Sequence, residues 1–147
     1  MSDGCGDMAM HLHAAVEFGD VVAVRRMVAA GADVEQRCEH GGTPLHVAAA
    51  EGHVEVIRVL VQVGVYKEAK DVSGVTPLHR ATLNGKVQSV RVLVKLGADI
   101  AARTECGLTP LQISSRFNHP RCIVLVRELK RTARAQQAAA AEAEARR

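Results

Sequence analysis

The sequence predicts an all-α solenoid of stacked helix–turn–helix units joined by hairpin-like connectors. Three observations predict it. The chain repeats itself every 33 residues. Each copy holds a short and a longer stretch of helical apolar spacing, punctuated by Pro and Gly. The apolar fraction, 48% of 147 residues, is mostly Ala and branched aliphatics, and the aromatics are only Phe18, Tyr66 and Phe117. Such a composition suits thin helices that approach closely, not a core built on large rings.

The period is read from several columns. Thr43-Pro44-Leu45-His46 returns as Thr76-Pro77-Leu78-His79 and again as Thr109-Pro110-Leu111-Gln112. Glycines fall at Gly19, Gly52 and Gly85, and at Gly31, Gly64 and Gly97; Arg25, Arg58 and Arg91 form a further set. Met10-His11-Leu12-His13 stands one period before Thr43 and reads as a degenerate first copy.

Within a copy, each element has a local cause. Thr43 is a good N-cap, and Pro44 takes the first helical position, where its missing N–H leaves no bond unmade. Leu45, Ala48 and Ala49 give a short helix with a small, closely packing face. Gly52 ends it, because a left-handed residue after a helix is easiest for Gly. Val54, Val56, Ile57, Leu60 and Val61 have the spacing of a second helix, which Gly64 stops. Residues 65–75 hold Asp71, Ser73 and Gly74 and read as an extended, hairpin-like connector.

With its TPLH, paired alanines, Gly, aliphatic second helix and Gly-Ala-Asp, this unit resembles the ankyrin repeat. The resemblance covers about residues 10–130, with TPLHVAA at 43–49 and GHVEVIRVLV at 52–61 as its most specific segments. It implies a slightly curved stack of four helix pairs with hairpins projecting to one side. The repeats lie at about 5–37, 38–70, 71–103 and 104–130, in a domain over 9–130 that follows a flexible N-terminus at 1–8. The first and last units act as caps. In the last copy the glycine columns become Asn118 and Lys130. Asn tolerates a left-handed backbone, whereas Lys130 lets the final helix run on from Pro120. Residues 131–147 then read as an Ala-rich, basic helical tail, with Glu142 and Arg146 paired at i,i+4.

The net charge of +3 resides in the C-terminal segment. Residues 127–147 carry six Lys/Arg and three Glu, leaving thirteen charges of each sign in residues 1–126. A neutral body with few aromatics argues against nucleic-acid binding, which uses a basic stripe and stacking platforms. The tail lacks the bulky apolar face of an interfacial helix, and no apolar run reaches the ~18 residues of a membrane span. The start, MSDGCGDMAM, has no basic and no continuous apolar region of a secretory signal. With Cys5, Cys38, Cys106 and Cys122 too scattered for a CxxC motif, the expectation is an intracellular protein of cytoplasm or nucleus with reduced thiols.

No constellation points to chemistry. His13, His46 and His79 lie one repeat apart, a spacing of stacked helices (about 8–10 Å) and not of a zinc centre (ligands within about 2.1 Å of one point). The resemblance implies that these His link Thr and backbone groups of neighbouring repeats. No nucleophile elbow, phosphate loop or metalloprotease helix is present. The expectation is therefore a non-enzyme with no cofactor and no small-molecule substrate. Cys5 and Cys38 share a column, but adjacent repeats stand beyond the ~7 Å Cα limit of a disulfide. The basic columns Arg25/Arg58/Arg91 and Arg37/Lys70/Arg103 read first as repeated solvated positions.

The resemblance implies binding through hairpin tips and the exposed end of each first helix, on the concave side. Mapped onto this chain, the tip residues are Arg37, Glu39 and His40; Lys70, Val72 and Ser73; Arg103 and Glu105. The helix-end residues are Phe18; Glu51; Leu83 and Asn84; Arg116 and Phe117. Phe18 and Phe117 occupy one column at opposite ends of the stack, and aromatics and Arg are common interface anchors. Packing of each Phe over a terminal core is the competing reading. Tyr66 joins the set because it replaces the Asp found at Asp33 and Asp99. The functional expectation is a monomeric protein-interaction module, an adaptor or regulatory scaffold for a protein partner. The alternatives are assembly through the helical tail, or a weak nucleic-acid contact by that tail.

Overall fold

The computed structural model describes residues 12–38 and 41–146. Its elements are α1 (helical over 12–18), α2 (Val21–Ala29), α3 (Pro44–Glu51), α4 (Val54–Val63), α5 (Pro77–Leu83), α6 (Val87–Lys95), α7 (Pro110–Arg116) and α8 (Pro120–Ala145). Among the described residues no strand occurs. Short helices stack on short ones (α3 on α5, α5 on α7) and long ones on long ones (α2 on α4, α4 on α6, α6 on α8). The result is a two-layer row of four helix pairs.

The Thr-Pro starts act as the sequence predicts. Thr43, Thr76 and Thr109 are extended N-caps whose side chains accept the N–H of the third helical residue. That third residue returns a bond: the Thr43 N–H donates to His46 Nδ1 at 3.1 Å, and the Thr109 N–H donates to Gln112 Oε1 at 2.9 Å. Each cap is therefore reciprocal, satisfying two N–H groups that a helix start leaves free.

The core is aliphatic and thin. Leu12, Val16, Val24, Leu45, Ala48, Ala49, Ile57, Leu60, Leu78, Ala81, Val90, Leu93 and Val126 are fully buried or nearly so. Ala48, Ala49 and Ala81 are fully buried, and their small side chains let α3 and α5 approach closely. The hairpin-like connectors hold no ladder, but each closes on one hairpin-type bond: Cys38 N–H to Gly42 O, Asp71 N–H to Val75 O and Thr104 N–H to Leu108 O, at 2.9–3.0 Å.

Gly85 shows why its column excludes a side chain. It sits at φ +68°, and a Cβ there would lie 2.7 Å from the His119 ring of the next repeat. Gly19 meets His53 in the same way. Asn118, which replaces that glycine in the last copy, keeps the left-handed backbone at φ 55°. Lys130 brings no break, and α8 continues as one helix to Ala145. Its buried residues are Cys122, Leu125 and Val126, and every residue from Arg134 to Arg146 is exposed.

Candidate protein-binding interface

Inter-repeat bonds fix the hairpin tips and the ends of the first helices. His46 and His79 tie the second and third tips to the preceding repeat. The His46 Nε2–H donates to Val75 O at 2.7 Å, and the His79 Nε2–H donates to Leu108 O at 2.9 Å. Since Nδ1 of each ring accepts the Thr N–H of its own cap, these bonds assign the neutral Nε2–H tautomer. Burial pushes both imidazoles below their ordinary value, and the carbonyls they face offset only part of that.

The tips are also tied to one another. Arg37 donates from Nη1 to Lys70 O at 2.6 Å and to Gly41 O at 2.9 Å. The Glu105 N–H donates to Ser73 O at 3.2 Å. Asp71 organises the middle tip: its buried carboxylate accepts the N–H groups of Ser73 and Val75 and pairs with Arg80 at 2.9 Å. Burial alone would raise its pKa, but the two N–H bonds and Arg80 outweigh burial and hold it below the ordinary carboxylate value. Thr104 stands in the same place at the third tip and accepts the Leu108 N–H. With its backbone fixed, a tip presents its side chains on a rigid support.

The residues singled out in the sequence fall as follows. Phe18 is 83% exposed, Phe117 53%, Val72 71% and Tyr66 63%. That exposure argues against terminal-core packing for either Phe. Glu51, Lys70, Ser73, Arg103, Glu105 and Arg116 are exposed, whereas Leu83 is half-buried. Asn84 is exposed but donates from Nδ2 to Ala50 O at 3.0 Å, so its amide also ties two repeats. Arg37 is likewise committed to carbonyls. Glu39 and His40 lie outside the described residues, as do Cys5 and His11. Tyr66 has lost the turn its column makes elsewhere, where Asp33 accepts the Glu35 N–H and Asp99 the Ala101 N–H. Its own N–H is taken by Glu35 Oε1 at 2.8 Å, leaving the phenol in solvent.

A shallow depression of about 290 Å³ lies between the repeats, bounded by Glu17, Cys38, Ala50, Glu51 and Arg80. Along the helix ends the exposed charge changes sign, from Glu17 and Glu51 to Arg116. Among the described residues no three His, Cys, Asp or Glu side chains gather as a metal site would require. Cys38 and Cys106 are exposed free thiols; Cys122 is buried, and burial pushes its thiol pKa up.

A family model described as ankyrin repeats, in three copies, matches residues 12–104. The chain belongs to the ankyrin-repeat family. A search among curated proteins found no match. Ankyrin repeats are generally protein–protein interaction modules. The α7–α8 pair lies beyond the matched span yet stacks on α5 and α6 in the same manner. No helix among the described residues is long and apolar enough to cross a membrane.

Sequence reasoning missed a second set of ankyrin-stack ties. His53 Nε2–H donates to Glu17 O at 2.8 Å, and His119 Nε2–H donates to Leu83 O at 2.7 Å. Glu68 Oε1 accepts the Asp99 N–H, and Lys67 Nζ donates to Leu96 O. The Gly–His spacing of 34, seen at Gly19/His53 and Gly85/His119, is the signal that carried the first of these.

Proposed function

We propose that this ankyrin-repeat chain is an adaptor or regulatory scaffold that binds a protein partner on its concave face, through hairpin tips and first-helix ends. The observation that carries the reading is the exposure of Phe18 and Phe117 in one column, together with that of Val72 on the second tip. Large apolar side chains in water are the anchors a partner desolvates. The charge gradient favours a partner segment basic where it meets Glu17 and Glu51 and acidic where it meets Arg116. The repeats span 9–130 with cap units at each end, and 131–147 is a solvated helical tail. The protein acts as a monomer inside the cell, in cytoplasm or nucleus, by recognition and without bond chemistry.

Affinity capture tests this with wild type beside Phe18→Ala, Leu83→Ala and Phe117→Arg, each first shown to be folded. Arg58→Ala, on the exposed face of α4, is the control. Partners should be lost with the first three and retained with the control. Equal retention by all four removes the assignment.

A further inference from the structure

The last helix pair, α7–α8, leaves open three columns that every earlier copy buries. Leu12, Leu45 and Leu78 are buried, and the equivalent Leu111 is half-buried. Val16, Ala49 and Thr82 are buried, and Ser115 is exposed. Val24, Ile57 and Val90 are buried, and Ile123 is half-buried. Each column is closed in the three copies on which another pair stacks. It is open in the copy on which, among the described residues, none does. These positions therefore face the next pair in the row, and in α7–α8 they form a surface shaped for helices to stack on.

The same surface continues along α8. Ile123, Arg127, Lys130 and Arg134 stand at i, i+4, i+7 and i+11, one side of the helix over about 16 Å. Arg127 takes the column of Val28, Val61 and Val94, which pack against the core. Arg127 and Arg134 are exposed, and Lys130 is half-buried. Among the described residues none of these three cations makes an ion pair or a side-chain hydrogen bond. Glu128 lies off this stripe, lining the groove against α6 beside Val87 and Val124.

Closing a stack requires only a polar outer side, and mixed charges would supply it while adding favourable pairs along the helix. Here Arg127 and Lys130 at i,i+3, and Lys130 and Arg134 at i,i+4, are of one sign and weaken the helix that carries them. An apolar centre at Leu111 and Ile123, extended by unpaired cations, is complementary to an acidic surface with an apolar stripe.

We propose that this end face docks an acidic amphipathic helix of a partner protein. The apolar side of that helix covers Leu111 and Ile123, and its carboxylates pair with Arg127, Lys130 and Arg134. A helix fits because each earlier pair receives helices on this same surface. A nucleic-acid duplex would meet the cations and leave Leu111 and Ile123 uncovered. The same face of a second copy would set cations against cations. The proposal uses none of the residues assigned to the concave face and stands independently of it.

Selection from a displayed library of random 20-residue peptides tests it. Peptides are kept that bind the full chain and not its folded Arg127→Glu, Arg134→Glu double variant. They should be net acidic, carry apolar residues at i, i+3 or i+4, and i+7, and gain helical circular dichroism on binding. Ile123→Ser should weaken the selected peptides about tenfold, and Arg127→Gln several-fold. Arg127→Gln is an exposed change and carries the test if Ile123→Ser fails to fold. Arg25→Gln removes the same charge from an exposed position in the first copy and should leave affinity unchanged. Recovery of no such peptides, recovery of peptides without net negative charge, or affinity unmoved in folded Ile123→Ser and Arg127→Gln would each overturn the proposal. A DNA duplex bound by wild type, lost in the double variant and indifferent to Ile123→Ser would assign the face to nucleic acid and overturn it as well.

Discussion

His46 reaches across a repeat boundary to Val75: its Nε2–H meets the Val75 carbonyl at 2.7 Å while its Nδ1 holds the N–H of Thr43. One neutral ring thus closes the N-cap of α3 and fixes the hairpin of the next unit. His79 repeats the arrangement with Thr76 and Leu108.

This makes stability fall in mild acid. The folded pKa of both rings lies below 6.5, chiefly because burial disfavours the charged form. In the window from about 6.5 down to the folded values, the unfolded chain binds more protons, so stability declines as pH falls. Above that window these rings contribute no slope. Asp71, held below 3.8, adds a second loss only in strong acid. Melting midpoints from pH 8 to 5 should show the decline. The double substitution His46→Gln, His79→Gln should flatten it, since Gln112 already makes this cap in the last copy. Each Gln should also cost about 1 kcal/mol at pH 7.5 through the lost inter-repeat bond. An undiminished slope in the double variant would show that other groups carry it.

Much of this arrangement was legible in the sequence, because a repeat displays its own register. Thr-Pro starts, glycine stops and the His column each predict a local event with a local cause, and Thr43, Gly52 and Gly64 behave accordingly. What could not be read was the pairing of exposed polar residues across copies. Arg37 looks like a solvated cation, yet its donors are spent on Lys70 O and Gly41 O. Glu35 and Glu68 look like surface acids, yet each accepts a backbone N–H one repeat on. Such ties depend on the offset between stacked units, which spacing within one copy does not contain.

The Gly85–His119 contact predicts a coupled pair. Gly85→Ala forces both a left-handed Ala and a Cβ at 2.7 Å from the ring, and should cost more than about 2 kcal/mol. Gly64→Ala, with open space at its Cβ, should cost only the backbone share, about 1–2 kcal/mol. Adding His119→Ala should recover part of the Gly85→Ala loss. Denaturant melts of the double-mutant cycle measure it; strict additivity would refute the contact.

Exposure of the two Phe residues predicts that they add little to folding. Phe18→Ala and Phe117→Ala should each lie within about 0.5 kcal/mol of wild type, whereas Leu60→Ala, fully buried, should lose about 2–5 kcal/mol. Urea melts separate these outcomes. A loss above about 2 kcal/mol at either Phe would return it to terminal-core packing.

The tail makes a similar case. With residues 134–146 exposed throughout, deleting 134–147 should leave the unfolding midpoint in place while lowering helical circular dichroism. Sedimentation of both forms should give a monomer. A change of mass on deletion would establish the tail as an assembly element.

The central claim is that partners bind on the side carrying Phe18, Val72 and Phe117. A photo-crosslinking amino acid placed in turn at these three positions, and at the exposed Val63 and Val124 on the long helices, addresses it directly. The account predicts crosslinks to a common protein from the first three positions and none from the other two. Crosslinks confined to Val63 or Val124 would contradict it.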